Sequence, residues 1–238
     1  MTRIYSAVSS KGGAGKTTMV ILIAGEYALR GERVLLVDAD GRLNLSGWWK
    51  LCHSKENVPE NINVTIAATR RSIAAELERL RNSVDLIIID APGVDSTVQD
   101  TIIESSDLVL SPIQPGIKEI EAAGQAAASV SEINDRKGSQ VLHLNVRTRI
   151  TIPGRNLEAY RYVRPFVAGL AEAGYQTALL GTELFERDVY REIQNGLGTL
   201  QMQDLTDPVR KARFEVQALV DEIEALFTGD GSRRGEAA

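Results

Sequence analysis

The stretch "SSKGGAGKTT", residues 9–18, constrains this chain more than any other part of it. Gly12, Gly13, Ala14 and Gly15 stand between a short apolar run, "RIYSAV", and a segment of helical spacing that opens on Lys16. A glycine-rich turn between a strand and a helix lets consecutive backbone N–H groups converge on an anion, and the positive end of the helix adds to their pull. Lys16 is then placed to reach β and γ phosphates, and Thr17 to put its hydroxyl on Mg²⁺. The general pattern G-x-x-x-x-G-K-[ST] would have its first glycine at position 10, where this chain has Ser10. A second lysine, Lys11, directly precedes the glycines.

The rest of the chain repeats the same alternation. Runs rich in Val and Ile at about 4–9, 33–37, 63–67, 86–90, 108–111, 141–146 and 176–180 read as strands. Helical spacing fills 16–30, 73–82, 117–135, 157–173 and 209–227. The last helix starts at Thr206 or Asp207 as N-cap with Pro208 in its first turn. Strands alternating with helices give an α/β fold: a doubly wound, mostly parallel sheet with helices on both faces. A single P-loop domain covers residues 1–228, and the tail "GDGSRRGEAA", 229–238, reads as disordered and polar.

Composition excludes several classes. One cysteine, Cys52, leaves no intrachain disulfide and no four-cysteine metal or iron–sulfur site. It reads as a small apolar residue. No run approaches the ~20 apolar residues of a membrane span, and the first residues lack a signal peptide's apolar core, so a cytoplasmic protein is expected. A net charge of −5 requires any contact with DNA to be local.

Two further segments carry carboxylates where nucleotide chemistry uses them. "VLLVDAD" puts Asp38 and Asp40 on one side of an extended chain end, and "LIIIDAPG" ends a buried strand on Asp90, the position from which a carboxylate holds Mg²⁺ or its water shell. Asp95 and Asp100 read as ordinary solvated helix residues. "KGGAGKTT", "VLLVDAD" and "LIIIDAPG", in this order, resemble the deviant Walker A, Walker A′ and Walker B motifs of the ParA/MinD family of ATPases. The departures are Gly41, where proline commonly follows the Asp-x-Asp, and Gly93, where a second proline is frequent.

The resemblance implies ATP and Mg²⁺ as cofactors. Residues Lys11 to Thr18 would hold the phosphates, and Thr17, Asp38 and Asp90 the metal, Asp38 through water. Lys11 would reach across an ATP-dependent homodimer to the partner's phosphates, Asp40 would position the attacking water, and Asn145, in "HLNVRTR", would meet adenine. ATP hydrolysis would be weak until a DNA-binding adaptor or cargo protein stimulates it.

Among branches of the family, a cluster-holding one lacks its cysteines here, and a tyrosine-kinase one lacks its C-terminal tyrosines. The last apolar helix, with Val209, Phe214, Val216 and Leu219, is expected to cover the sheet. It carries Asp221, Glu222 and Glu224, which would repel anionic lipid, so no membrane contact is expected. Arg210, Lys211 and Arg213 resemble the family's surface for nonspecific DNA. A second cluster, Arg147, Arg149, Arg155, Arg161 and Arg164 against the single acid Glu158, is the other candidate. For both, a solvated helix face with ion pairs is the plain alternative. "TIIESSDLVLSPIQP", "IPGR" and "ERDVYREIQNGLGTL" resemble a compact subgroup that includes the VirC-type ATPases of T-DNA transfer. The resulting expectation is a nucleoid-associated ATPase that positions plasmid or transfer DNA. The alternatives are positioning of a cytoplasmic protein cargo and, behind it, a MinD-like membrane regulator.

Overall fold

The computed structural model describes residues 2–93 and 97–227. Strands β1 (Arg3–Ala7), β2 (Val34–Asp38), β3 (Ile62–Ile66), β4 (Leu86–Asp90), β5 (Leu108–Ile113), β6 (Leu142–Ile150) and β7 (Thr177–Phe185) form one sheet. Its order is β3-β2-β4-β1-β5-β6-β7. Every neighbouring pair is parallel, so the sheet is wholly rather than mostly so. The helices are α1 (Lys16–Leu29), α2 (Asn44–Ser54), α3 (Arg70–Leu80), α4 (Thr97–Ser105), α5 (Ile117–Lys137), α6 (Glu158–Glu172), α7 (Asp188–Gln194) and α8 (Asp207–Phe227).

The central strands are apolar at nearly every position because helices cover both faces of the sheet. Leu36, Ile88 and Leu110 point to one face, where α1, α2, α7 and α8 bring Met19, Trp48, Ile193 and Val216. Their neighbours Leu35, Ile87 and Val109 point to the other, under Ile73, Ile102 and Val130 of α3, α4 and α5. Cys52 is buried in the first layer. Trp48 is buried there too and donates its indole N–H to the Ile193 carbonyl at 3.0 Å. Trp48 therefore packs on the domain.

Strand order fixes the site. β4 lies between β1 and β2, which sets Asp90 level with Ala7 on one side and Asp38 on the other. All three C-terminal strand ends thus meet at one crevice, the place where doubly wound sheets bind ligands.

Beyond β5 the sheet departs from the sequence reading. β6 and β7 each run to 9 residues, because a register shift between Asn145 and Arg147 lets the pairing resume past an irregularity. β7 is an edge strand, and acidic side chains of α8 block it. Glu222 accepts the Gly181 and Thr182 N–H groups at 2.6 and 2.9 Å, and Glu215 accepts that of Phe185 at 3.4 Å. α8 begins as expected, the Thr206 carbonyl accepting the Arg210 N–H at 2.8 Å. Phe214 is the exception on that helix: it is 72% exposed and does not cover the sheet. Asp100 lies on α4, whereas Asp95 and the tail 229–238 fall outside the described residues.

Candidate nucleotide site

The loop after β1 is fixed from three sides. Val8 donates its N–H to the Leu110 carbonyl at 2.9 Å. The Gln114 amide donates to the Gly13 and Ala14 carbonyls at 3.3 and 3.2 Å, and the Thr148 hydroxyl to Ala14 at 3.4 Å. Gly15 enters α1 at φ 100, a backbone that a side chain would strain. The phosphate cradle is therefore braced by contacts within the chain.

Lys16 is buried at the floor of a cavity of about 600 Å³ that opens beside Asp40, Arg42 and Trp48. Burial holds its ammonium below the usual lysine range, against the opposing pull of Asp90 and Asp40. An anion entering the cavity would meet a cation poorly compensated by its surroundings. Thr17 donates its hydroxyl to Asp90 Oδ2 at 2.6 Å, while Asp90 Oδ1 is buried with no partner. Burial, outweighing Thr17 and Lys16, pushes the Asp90 carboxyl up to about 7.

That orphaned oxygen beside a threonine hydroxyl fits Mg²⁺. Among the described residues no group of three or more His, Cys, Asp or Glu could hold a metal by itself. The ion would therefore take phosphate oxygens and water alongside Thr17 and Asp90, its ordinary preference. Asp38 stands one step back. Its buried carboxylate accepts the backbone N–H of Asp40 at 3.2 Å and of Ser46 at 2.8 Å, so it shapes the 39–46 loop that presents Asp40. Thr18 lines the same cavity and receives the Gln194 amide on its hydroxyl. A narrower cavity of about 80 Å³ continues past Thr18, where Leu22, Phe185 and Tyr190 meet the polar side chains of Arg149, Arg187 and Gln194.

Lys11 does not share this cavity. Its ammonium is paired with Glu119 at the start of α5, and the side chain is 40% exposed. The two lysines of one loop thus face different surroundings.

Asn145 is placed otherwise than expected. β6 continues to Ile150, so Asn145 sits mid-strand, fully buried, and does not line the crevice. Its amide donates to Thr177 Oγ1 at 2.8 Å and to the Ala178 carbonyl at 3.1 Å. Thr177 Oγ1 is 2.9 Å from His143 Nδ1, His143 Nε2 is 2.9 Å from Ser111 Oγ, and Ser111 donates to the Val8 carbonyl at 2.8 Å. Since the Ser111 hydrogen goes to Val8, His143 must donate from Nε2 and accept at Nδ1. Asn145 is the far end of a hydrogen-bonded chain that runs through β6, β7 and β5 to the start of the phosphate loop.

Sequence does not assign several residues to this site, Arg149 among them, which stands there only as part of a basic cluster. Arg42 brings its guanidinium to 3.3 Å from where a Cβ on Gly12 would stand. Its signal was a cation two positions after Asp40. Arg149 lines both cavities at φ 53, and nothing in the sequence marks a non-glycine residue for that backbone. Gln114, Glu119 and Gln194 come from distant helices and loops, which spacing does not reveal.

The basic clusters separate. Arg147 and Arg155 converge on the buried Glu183 at 2.9 and 2.5 Å. Arg210 pairs with Asp207 on the helix surface at 2.5 Å, and Lys211 is exposed. Among the described residues, Arg161, Arg164, Lys211 and Arg213 make no ion pair.

Fold and crevice together define a P-loop ATPase of the ParA/MinD type. The model of the VirC1 protein family matches residues 2–224, and the chain belongs to that family. Protein virC1 of Rhizobium rhizogenes is 27% identical over 227 residues, 92% of this chain and 94% of the relative. Protein ParA of Rhizobium radiobacter is 29% identical over 187 residues, 79% and 80% of the two chains. A putative plasmid partition protein of Borrelia burgdorferi B31 bound to AMPPNP shares the fold, with TM-score 0.68 over 93% of this chain and 99% of that one, at 14% identity.

Proposed function

We propose that this protein is an ATP-dependent dimerising ATPase that binds DNA nonspecifically and positions or segregates plasmid or transfer DNA. It works as a single P-loop domain over residues 1–228, in the cytoplasm and on the nucleoid. The observation that carries the reading is the division of labour between its two lysines. Lys16 is buried in its own crevice among Asp90 and Asp40, whereas Lys11 is half-exposed and held by a carboxylate outside it. Lys11 is thus available to phosphate brought by a second chain, which would tie dimerisation to the γ phosphate.

Mg²⁺, bound at Thr17 and Asp90 with Asp38 behind them, would neutralise charge on the phosphates. The cradle and Lys16 orient the polyphosphate, and Asp40, half-exposed at the cavity wall, orients the attacking water. With catalysis resting on positioning alone, turnover is slow until an adaptor or cargo protein completes the site.

The test is light scattering after gel filtration with ADP and with ATP. Wild type should dimerise with ATP only; Lys11→Ala should bind ATP and stay monomeric; Asp40→Ala should persist as an ATP-bound dimer. A Lys11→Ala dimer equal to wild type would defeat the reading. A duplex gel shift with Arg210, Lys211 and Arg213 changed together to Glu tests the DNA contact, which should be lost with dimerisation intact.

A second reading is favoured by one relative. Maintenance of carboxysome distribution protein A of Gloeobacter kilaueensis is 30% identical over 114 residues, 48% of this chain and 50% of the relative. The same cycle would then distribute a protein cargo, and ATP-dependent DNA binding would persist while the stimulating partner would be that cargo's adaptor.

A further inference from the structure

A groove of about 730 Å³ runs along the blocked edge of β7, walled by α6 on one side and α8 on the other. Arg161 and Arg164, one turn apart, line the α6 wall, and Phe214 and Ala218 line the α8 wall. Lys211 precedes Phe214 by three positions and so shares its helix face. Phe214 is 72% exposed, a large ring standing in water with no role in the core. The nucleotide chemistry described above uses none of these residues.

Glu222 caps the Gly181 and Thr182 N–H groups at the rim, and the groove itself is net positive. Its two carboxylates are already neutralised: Glu183 by Arg147 and Arg155, and Glu215 by Arg187. Burial would raise the Glu183 carboxyl, but Tyr160 and the two arginines outweigh it and hold it below the usual range. Arg161, Arg164 and Lys211 make no ion pair among the described residues, which leaves the groove cationic around an exposed aromatic ring.

We propose that this groove binds a single strand of nucleic acid, its phosphates on Arg161, Arg164 and Lys211 and a base stacked on Phe214. The combination of a cationic track with an aromatic platform suits a strand whose bases are free to stack, since every base has a π-face. A duplex keeps its bases stacked inside and would use the cations while leaving Phe214 idle. An extended peptide is disfavoured at the same place, because Glu222 and Glu215 already occupy the outward N–H groups of Gly181, Thr182 and Phe185 that strand addition requires. This deepens the DNA reading above and rests on it, naming the form of DNA and the surface that takes it.

The experiment is fluorescence anisotropy of the full chain with ATP and Mg²⁺ against three labelled probes at one salt concentration: a 20-nucleotide oligo-dT, a 20-base-pair duplex and an oligoglutamate peptide. Oligo-dT should bind more tightly than the duplex. Phe214→Ala should weaken oligo-dT by about tenfold or more and leave the duplex within twofold. Arg161→Glu with Arg164→Glu should abolish the oligo-dT preference. Fluorescent ATP binding serves as the folding control for each variant, all three substitutions being at exposed positions. Equal binding of both DNA forms, unchanged in Phe214→Ala, would overturn the groove while leaving duplex binding in place. Loss of all DNA binding in wild type would overturn both. Preferential binding of oligoglutamate, lost in the double variant, would make the groove a site for acidic peptide and overturn the proposal.

Discussion

His143 gives a prediction whose size follows from its surroundings. The ring is fully buried on β6 between Ser111 and Thr177, and burial alone pushes its pKa down to about 4. Protonation at Nδ1 would set a new hydrogen against the one Thr177 donates, and Thr177 cannot readily turn because Asn145 already donates to its oxygen. In the unfolded chain a histidine titrates near ~6.5. The unfolded state therefore binds more protons between these values. The contribution is fully present above ~6.5 and is lost as pH falls towards 4. At ~1.4 kcal/mol per pH unit, lowering the pH from about 7.5 to about 4.5 should remove about 2.5 kcal/mol of stability through this one residue. Urea unfolding at the two pH values, run on wild type and on His143→Gln, isolates it, since background carboxylate effects occur in both and cancel. The variant should lose about 2.5 kcal/mol less than wild type over the interval. Equal losses in the two proteins would refute the assignment of a neutral, Nδ1-accepting ring.

Three further outcomes are expected. Glu183→Gln removes the carboxylate that holds the buried Arg147 and should cost about 3–5 kcal/mol in urea unfolding, with ATP affinity much less affected. Arg42→Ala removes a guanidinium that lies over the phosphate cradle, and titration with fluorescent ATP should show weakening of about tenfold, the worth of a charge-assisted hydrogen bond of ~1.5 kcal/mol. Trp48 lines the phosphate cavity and is packed against Trp49, the only other tryptophan in the chain, so ATP should change the intrinsic fluorescence. Trp48→Ala should abolish that signal and cost about 3–5 kcal/mol in stability.

Where the sequence was legible, local chemistry and structure coincide. The glycines before Lys16, the carboxylates at the ends of β2 and β4, and the proline at the start of α8 each express a requirement that a few neighbouring residues satisfy. Legibility failed where the requirement was set at a distance. Asn145 looked like a strand end because the apolar run stops near Val146, yet β6 goes on to Ile150 by pairing with β7 across a register shift. Phe214 fits the apolar spacing of α8, yet it stands over the groove at the edge of β7, outside the buried face of the helix. Arg147 and Arg155 read as surface cations because Glu183, which holds both, lies on a later strand. The order of strands was likewise not readable: β2 follows β1 in the chain, but β4 comes between them in the sheet.

That insertion of β4 bears on when the site can exist. Among the described residues β1 pairs with β4 and β5 alone, so it has no strand neighbour until the chain beyond residue 86 has been made. Both lysines of the loop are synthesised early, yet the wall that carries Asp90 and the Leu110 carbonyl that anchors Val8 arrive only with the middle of the chain. Long-range pairing of this kind is slow because loop closure precedes its reward. Nucleotide would therefore meet its whole crevice only once the sheet had closed around β1.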